Sequence, residues 1–237
     1  MSRMVRFISD RLILPFACRV HDAIRFRDRY TLLDELRART ARECADYAEK
    51  HMAGALSFSS REALWDHAAG RIAFEGIAAE FGVGDGHSIR YLARKIRGPI
   101  HGFDSFHGLP EDWEGSEAFA RGTFGRGGRP PKVPANVRLI TGEFRAALPA
   151  FLESNPGVFS FVHFDCDTYR STSEILDLIA PRLAPGSVLV FDEYFGYRGW
   201  KLGEWKAWRE QADRRGFAYE YFGFSSQQAA LRILRAG

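Results

Sequence analysis

Between residues 76 and 194 the chain repeats one rhythm: a short apolar run, an abrupt stop on glycine or acid, and a connection back. The runs are GIAAEFGV (76–83), PIHGFDS (99–105), NVRLITG (136–142), VFSFVHFD (158–165) and SVLVFDEY (187–194). Amphipathic stretches follow several of them: HSIRYLARKIR (87–97), FRAALPAFLES (144–154) and residues 171–183. Alternation of this kind predicts parallel strands joined by crossover helices. With 237 residues and 46% hydrophobic content the chain can bury one substantial core. A single α/β domain is therefore expected over residues 76–237, preceded by a helical extension over 1–75. In that extension apolar residues recur at helical spacing from about 22 to 49, and Ser59 and Glu62 have capping-box spacing before a second helix. The tail differs. A helix through WKAWREQADRRG is followed by AYEYFGF and QQAALRIL, which read as an antiparallel pair at one sheet edge.

The formal charge is only +3, and the basic residues are scattered among acids without tracts, so nucleic-acid binding is not expected. Three cysteines, Cys18, Cys44 and Cys166, are widely spaced and odd in number. They form neither a disulfide framework nor a CxxC pair, and they suit a reducing cytoplasm. The run from Leu12 to Cys18 is broken by Pro15 and bracketed by Arg11 and Arg19, too short for a membrane span and unlike a signal peptide.

In a doubly wound sheet, ligands bind beyond the carboxyl ends of the strands near the switch point. Every notable polar cluster here falls at such an end. EFGVGDGHS (80–88) carries glycines at 82, 84 and 86, which let the backbone turn tightly and approach a ligand. Asp104 ends the next run, where a carboxylate can accept hydrogen bonds from both ribose hydroxyls of a nucleoside; a turn role before Ser105 is the plain alternative. A glycine turn with a ribose acid suits either NAD or S-adenosylmethionine. Glu80 and Asp85 favour the second, since carboxylates inside the turn repel a pyrophosphate but suit a cationic amino-acid moiety.

Two further acids, Asp165 and Asp167, close the run 158–165 at i and i+2, and Asp192 with Glu193 closes the run 187–194. Extended backbone would send Asp165 and Asp167 to one face, and adjacent parallel strands would bring all four carboxylates to one rim. Such a group repels itself unless a hard divalent cation neutralises it, and all-oxygen ligands select Mg²⁺. A metal that binds neighbouring hydroxyls would orient them and ease deprotonation of one. The alternative is that Asp167 caps the helix beginning near Ser171, a role that Thr168 or Ser171 fills equally well. His163, inside an apolar run, reads as a hydrogen-bonded core residue. The segment 106–134, with Trp113, Phe119, Phe124 and several glycines, reads equally as a mobile lid or as a disordered excursion. Tyr194, Tyr197 and Trp200 follow the acidic pair and are candidates to line an acceptor site, whereas Trp205 and Trp208 read as core.

Taken together, EFGVGDGHS, GFDSFHGLPEDW, TGEFRAALP, FDCDTY and VFDEY resemble the S-adenosylmethionine-dependent O-methyltransferases of the macrocin and novobiocin type. These modify hydroxyls of antibiotic sugars or aromatic groups. The resemblance runs from about Glu80 to the C-terminus. It implies a class I methyltransferase, Rossmann-like, with a mostly parallel seven-stranded sheet and an antiparallel C-terminal edge. It further implies that Glu80, Gly82, Gly84 and Gly86 serve the methionyl part, Asp104 and Ser105 the ribose, and Gly142, Glu143 and Phe144 the adenine. Asp165, Asp192 and Glu193 would hold Mg²⁺, and Asp167 would be the general base beside Asp165. His107 and Glu193 depart from the family pattern, which has acids and a second aspartate at those places. The expected protein is a cytoplasmic O-methyltransferase of a small sugar-containing or phenolic acceptor, with dimerisation through the helical preface open. The rivals are a metal-independent methyltransferase, an NAD-dependent enzyme, and a cofactor-binding module without catalysis.

Overall fold

The computed structural model describes residues 14–27, 31–113 and 119–236. It divides into two compact units, Met1–Arg39 and Thr40–Gly237. The first contains α1 (Leu14–Arg27) and the start of α2 (Leu32–His51). Leu14 and Phe16 on α1 are exposed; Leu12 and Ile13 of the apolar run lie outside the described residues.

The second unit is built on one eight-stranded sheet. Its elements are β1 (Leu56–Ser57), α3 (Arg61–Ala69), β2 (Ile77–Phe81), α4 (His87–Leu92), β3 (Ile100–Asp104), β4 (Val137–Thr141), α5 (Phe144–Ser154), β5 (Phe159–Phe164), α6 (Tyr169–Ile179), β6 (Leu183–Phe191), α7 (Glu204–Arg215), β7 (Ala218–Phe224) and β8 (Ala229–Arg235). The order is β1-β7-β8-β6-β5-β2-β3-β4. Strands β2 to β6 pair in parallel, and β8 lies antiparallel to both β6 and β7. The fold is the mixed α/β class I methyltransferase fold, with one strand more than expected. The extra strand is β1, a two-residue piece parallel to β7 and too short to show any periodicity. Residues 40–75, part of the segment expected to be a helical extension, thus contribute a strand and a helix to the unit that holds the sheet.

Four phenylalanines set the register of the central strands. Phe103, Phe81, Phe164 and Phe191 are paired across β3, β2, β5 and β6, with ring centroids 4.9, 5.9 and 4.6 Å apart in succession. All four are fully buried. Each is followed at once by a glycine or an aspartate, so the ladder fixes Asp104, Gly82, Asp165 and Asp192 side by side along one rim. A slip of one residue would send every side chain to the other face.

One helix start differs from the sequence reading in detail, and a second decides between its candidates. The N-cap of α3 is Ser60, whose Oγ accepts from the Ala63 N–H at 3.2 Å, one residue after the capping-box position. Glu62 turns instead toward His87 and Arg61, each at 3.6 Å. Thr168 caps α6, accepting from the Ser171 N–H at 3.2 Å.

Candidate active site

The chain reverses direction along the sheet between β2 and β5, which makes the gap between Gly82 and Asp165 the switch point. Here the backbones nearly touch. A Cβ built on Gly82, whose φ is +87°, would stand 1.7 Å from the Asp165 carbonyl oxygen, so only glycine fits. Gly84, with φ of +51°, has open space around it, whereas Gly86 faces Arg90 and Pro131. Asp104 fastens this turn to β3. Its Oδ2 accepts from the N–H groups of Val83 and Gly84, both at 2.8 Å, and its Oδ1 accepts from Phe106 N–H at 2.7 Å. Three of roughly four acceptor sites on the carboxylate are thus filled by backbone.

A cavity of about 740 Å³ opens over this rim. At one end stand Gly82, Gly84, Asp104, Ser105, Gly142, Glu143 and Phe144. At the other stand Asp165, Asp167, Asp192 and Glu193, so sequence-distant candidates share one wall. Glu80 and Gly86 are not among the lining residues. Glu80 is fully buried beneath the turn, accepting from Ser88 Oγ at 3.0 Å and bonded to His163 Nδ1 at 2.9 Å. Its position beneath the loop, rather than in the cavity, makes it a support for the turn.

His163 is the core histidine expected from its place in β5, but it is also a charge bridge. Its Nε2 lies 3.7 Å from Asp192 Oδ1, and neither atom has a hydrogen-bond partner among the described residues. Burial works against charge on the ring, yet the carboxylates of Asp192 and Glu80 outweigh it and raise the imidazole to about 10. The result is a cation sandwiched between two acids. Asp192 is held low despite its burial by His163 and by Arg61, whose Nη1 is 3.6 Å from Asp192 Oδ2.

Among the described residues the other carboxylates are less well compensated, with His163 offsetting only part of the charge on Asp165 and Glu204. Burial, with Asp192 adding repulsion, pushes Asp165 and Glu193 well above the ordinary carboxylate range and Asp167 to about 7. Glu204 joins them from the start of α7, raised by burial and Asp167 to about 8. Its Oε2 accepts from the Glu193 N–H at 3.1 Å. The sequence offers no mark for this residue, since a first-turn acid in WKLGEWKAW reads as an ordinary exposed helix start. Ser88 was missed for the same reason; its Oγ stands between Glu80 and Asp165, 3.5 Å from the latter.

Asp165 and Asp167 do come together, though not by extended backbone. β5 stops at Phe164, and Asp167 adopts a left-handed φ of +64°, with Thr168 N–H closing back on the Cys166 carbonyl at 2.6 Å. Because Thr168 caps α6, the Asp167 side chain is released toward the cavity. One carboxylate oxygen each from Asp165, Asp167 and Glu193 lies within 4.8 Å of the others, and Glu193 Oε2 is buried without a hydrogen-bond partner among the described residues. An all-oxygen, self-repelling trio with an orphaned acceptor fits a hard dication. Asp192, expected among the ligands, stands apart from this trio because His163 and Arg61 engage it.

Trp113, Phe119 and Phe124 of the segment 106–134 line the cavity, with Phe119 in ring contact with both of the others and Trp113 5.5 Å from Tyr197. Residues 114–118 lie outside the described residues. Of the three candidates after the acidic pair only Tyr197 reaches the cavity; Tyr194 and Trp200 are buried in the core, as is Trp208. His87 lines the cavity, whereas His107 does not.

A sheet of this order, with a glycine turn at its switch point and an acid on the next strand, is the arrangement of the class I methyltransferase fold. Residues 79–194 match a family model described as a methyltransferase domain. Over 110 residues, 38% of the chain, it is 29% identical to the 8-demethyl-8-(2,3-dimethoxy-alpha-L-rhamnosyl)-tetracenomycin-C 4'-O-methyltransferase of Streptomyces olivaceus. That match spans 40% of the relative's length. The fold is similar to CalS11, a calicheamicin methyltransferase, with a TM-score of 0.60 and 22% identity over 85% of this chain and 93% of that one. It is also similar to the O-methyltransferase NovP, with a TM-score of 0.58 and 19% identity over 74% and 80% of the two chains. No described helix is long and apolar enough to cross a membrane.

Proposed function

We propose that the protein transfers the methyl group of S-adenosylmethionine to a hydroxyl of a sugar-containing or aromatic acceptor, with Mg²⁺ assisting. The observation that carries this reading is the order along the rim. From β4 to β6 it runs Gly142, Asp104, Gly82, Asp165 and Asp192 within one cavity, so a nucleoside end and a carboxylate end face each other across the switch point. The Streptomyces olivaceus relative, named for methylating a hydroxyl of a rhamnosyl group, supports a sugar hydroxyl as acceptor.

In this reading the turn at Val83 and Gly84, braced by Asp104, receives the nucleoside, and Gly142, Glu143 and Phe144 flank the adenine side. Asp104 keeps about one acceptor site for a ribose hydroxyl, so Ser105 shares that task. Asp165, Asp167 and Glu193 would hold the cation, which when bound supplies a positive centre that orients neighbouring hydroxyls and lowers the pKa of one of them. Asp167 takes the hydroxyl proton on the carboxylate oxygen not turned to the cation, as the oxygen–methyl bond forms and the methyl–sulfonium bond breaks to leave S-adenosylhomocysteine. The aromatic wall of Trp113, Phe119 and Tyr197 packs the acceptor ring and keeps water from the reacting atoms. Buried, unpaired Cys44 and Cys166 are consistent with a reducing cytoplasm.

Thermal unfolding with added ligand tests the cofactor. S-adenosylhomocysteine at about a hundred times its Kd should stabilise by about 2.7 kcal/mol, while NAD should leave the midpoint unmoved. Stabilisation by NAD and none by S-adenosylhomocysteine would overturn the assignment.

A further inference from the structure

We propose that Arg61 recognises the carboxylate of the methionyl group, which makes it a cofactor-specificity residue supplied from outside the segment that matches the methyltransferase family. The inference rests on the reading of the cavity as an S-adenosylmethionine site. It starts from charge. The methionyl group carries a carboxylate into a wall dominated by Asp85, Asp165, Asp167, Asp192 and Glu193. Mg²⁺ on the trio would offset part of that charge, but the carboxylate still needs a donor of its own. Two arginines line the cavity, Arg61 and Arg126. Arg126 belongs to the lid, its N–H bonded to the Phe106 carbonyl beyond Asp104, on the ribose side. Arg61 belongs to α3 and stands at the acidic end, near the glycine turn.

The guanidinium of Arg61 is fixed yet unsaturated. It lies over the Trp65 ring, 5.2 Å from the centroid. Trp65 is fully buried and packs against His87 and Tyr91 of α4, the helix that opens from the glycine turn, and against His163. The platform beneath Arg61 is therefore continuous with the support of the turn. Its ion pairs to Asp192 and Glu62 are both 3.6 Å long, beyond hydrogen-bond length, and its side chain is 41% exposed. A planar fork held by stacking, with N–H donors left over, is suited to bidentate capture of a carboxylate. Its second function is to balance Asp192 when the cofactor is absent.

The test compares two ligands that differ only in the carboxylate: S-adenosylhomocysteine and its decarboxylated analogue S-adenosyl-3-thiopropylamine. Calorimetric affinities are measured on the full chain for the wild type, Arg61→Met and Arg61→Lys. The wild type should prefer S-adenosylhomocysteine by about tenfold or more, a factor ordinary for one charge-assisted pair. In Arg61→Met the preference should fall to within about twofold while affinity for the decarboxylated analogue holds, and Arg61→Lys should keep an intermediate preference. The unchanged analogue affinity also reports that the variant is folded. A preference that survives in Arg61→Met overturns the proposal, and so does an equal loss of affinity for both ligands. If neither ligand binds the wild type, the S-adenosylmethionine reading itself fails and takes this inference with it.

Discussion

Asp167→Asn is expected to slow methyl transfer by about 10²–10⁴-fold, the range for loss of a general base, with affinity for S-adenosylhomocysteine within about twofold of wild type. The backbone makes this a clean variant. Asp167 sits at φ +64°, and asparagine is the side chain that best tolerates the left-handed region after glycine. The substitution also removes a buried negative charge from a group of carboxylates that repel one another, so the unfolding midpoint should hold or rise. A residue that only shaped the turn would give a different signature: lower stability and weaker ligand binding, with turnover preserved. Steady-state kinetics on a productive acceptor, read beside thermal unfolding, separates the two. Undiminished turnover would remove Asp167 from the chemistry.

The second large effect concerns metal and pH together. Asp165, Asp167 and Glu193 all have pKa values raised by burial and mutual repulsion, so without a cation the folded chain binds protons more tightly than the unfolded chain. The sign follows from linkage. Their penalty is absent at low pH, grows as pH climbs past the unfolded values near 4, and for Asp167 is complete above about 7. Glu204, raised to about 8, extends the window upward. In chelator the protein should therefore lose stability between pH 5 and 8. Mg²⁺ should restore it in the same window, because it replaces the missing protons. With Mg²⁺ held at one concentration, about a hundred times its Kd at pH 8, the midpoint should rise by about 5 °C or more at pH 8 and by less than about 2 °C at pH 5, where protons compete for the site. A shift equal at both pH values would mean that the cation binds elsewhere, and no shift at either would favour a metal-independent methyl transfer.

Much of this geometry is written into short sequence signals, and the reason is physical. The phenylalanines at 81, 103, 164 and 191 precede Gly82, Asp104, Asp165 and Asp192, so the last buried ring of each strand marks where the next residue reaches the cavity rim. Local periodicity and abrupt polar stops convey that much. What they do not convey is which strands are neighbours, a property of crossover connections, or how the backbone bends after a strand ends. The left-handed turn at Asp167 belongs to the second kind: the i, i+2 spacing brought the two acids together for a reason other than the extended backbone it suggests. Arg61 and Glu204 belong to the first. Each lies in a helix of ordinary amphipathic pattern and reaches the site only because α3 and α7 pack beside the rim. Glu80 shows a third limit, since a carboxylate next to a glycine turn reads the same whether it faces the ligand or the core. Only its partner His163, 83 residues away, decides the matter.

The most direct test is crystallographic: crystals grown with S-adenosylhomocysteine and Mn²⁺, with an anomalous difference map calculated at the manganese edge. The expected result is a peak at about 2.1 Å from carboxylate oxygens of Asp165, Asp167 and Glu193, with the nucleoside lying over Val83 and Gly84 in the same cavity. A peak bound elsewhere, or a nucleoside outside the cleft between Gly82 and Asp165, would contradict it.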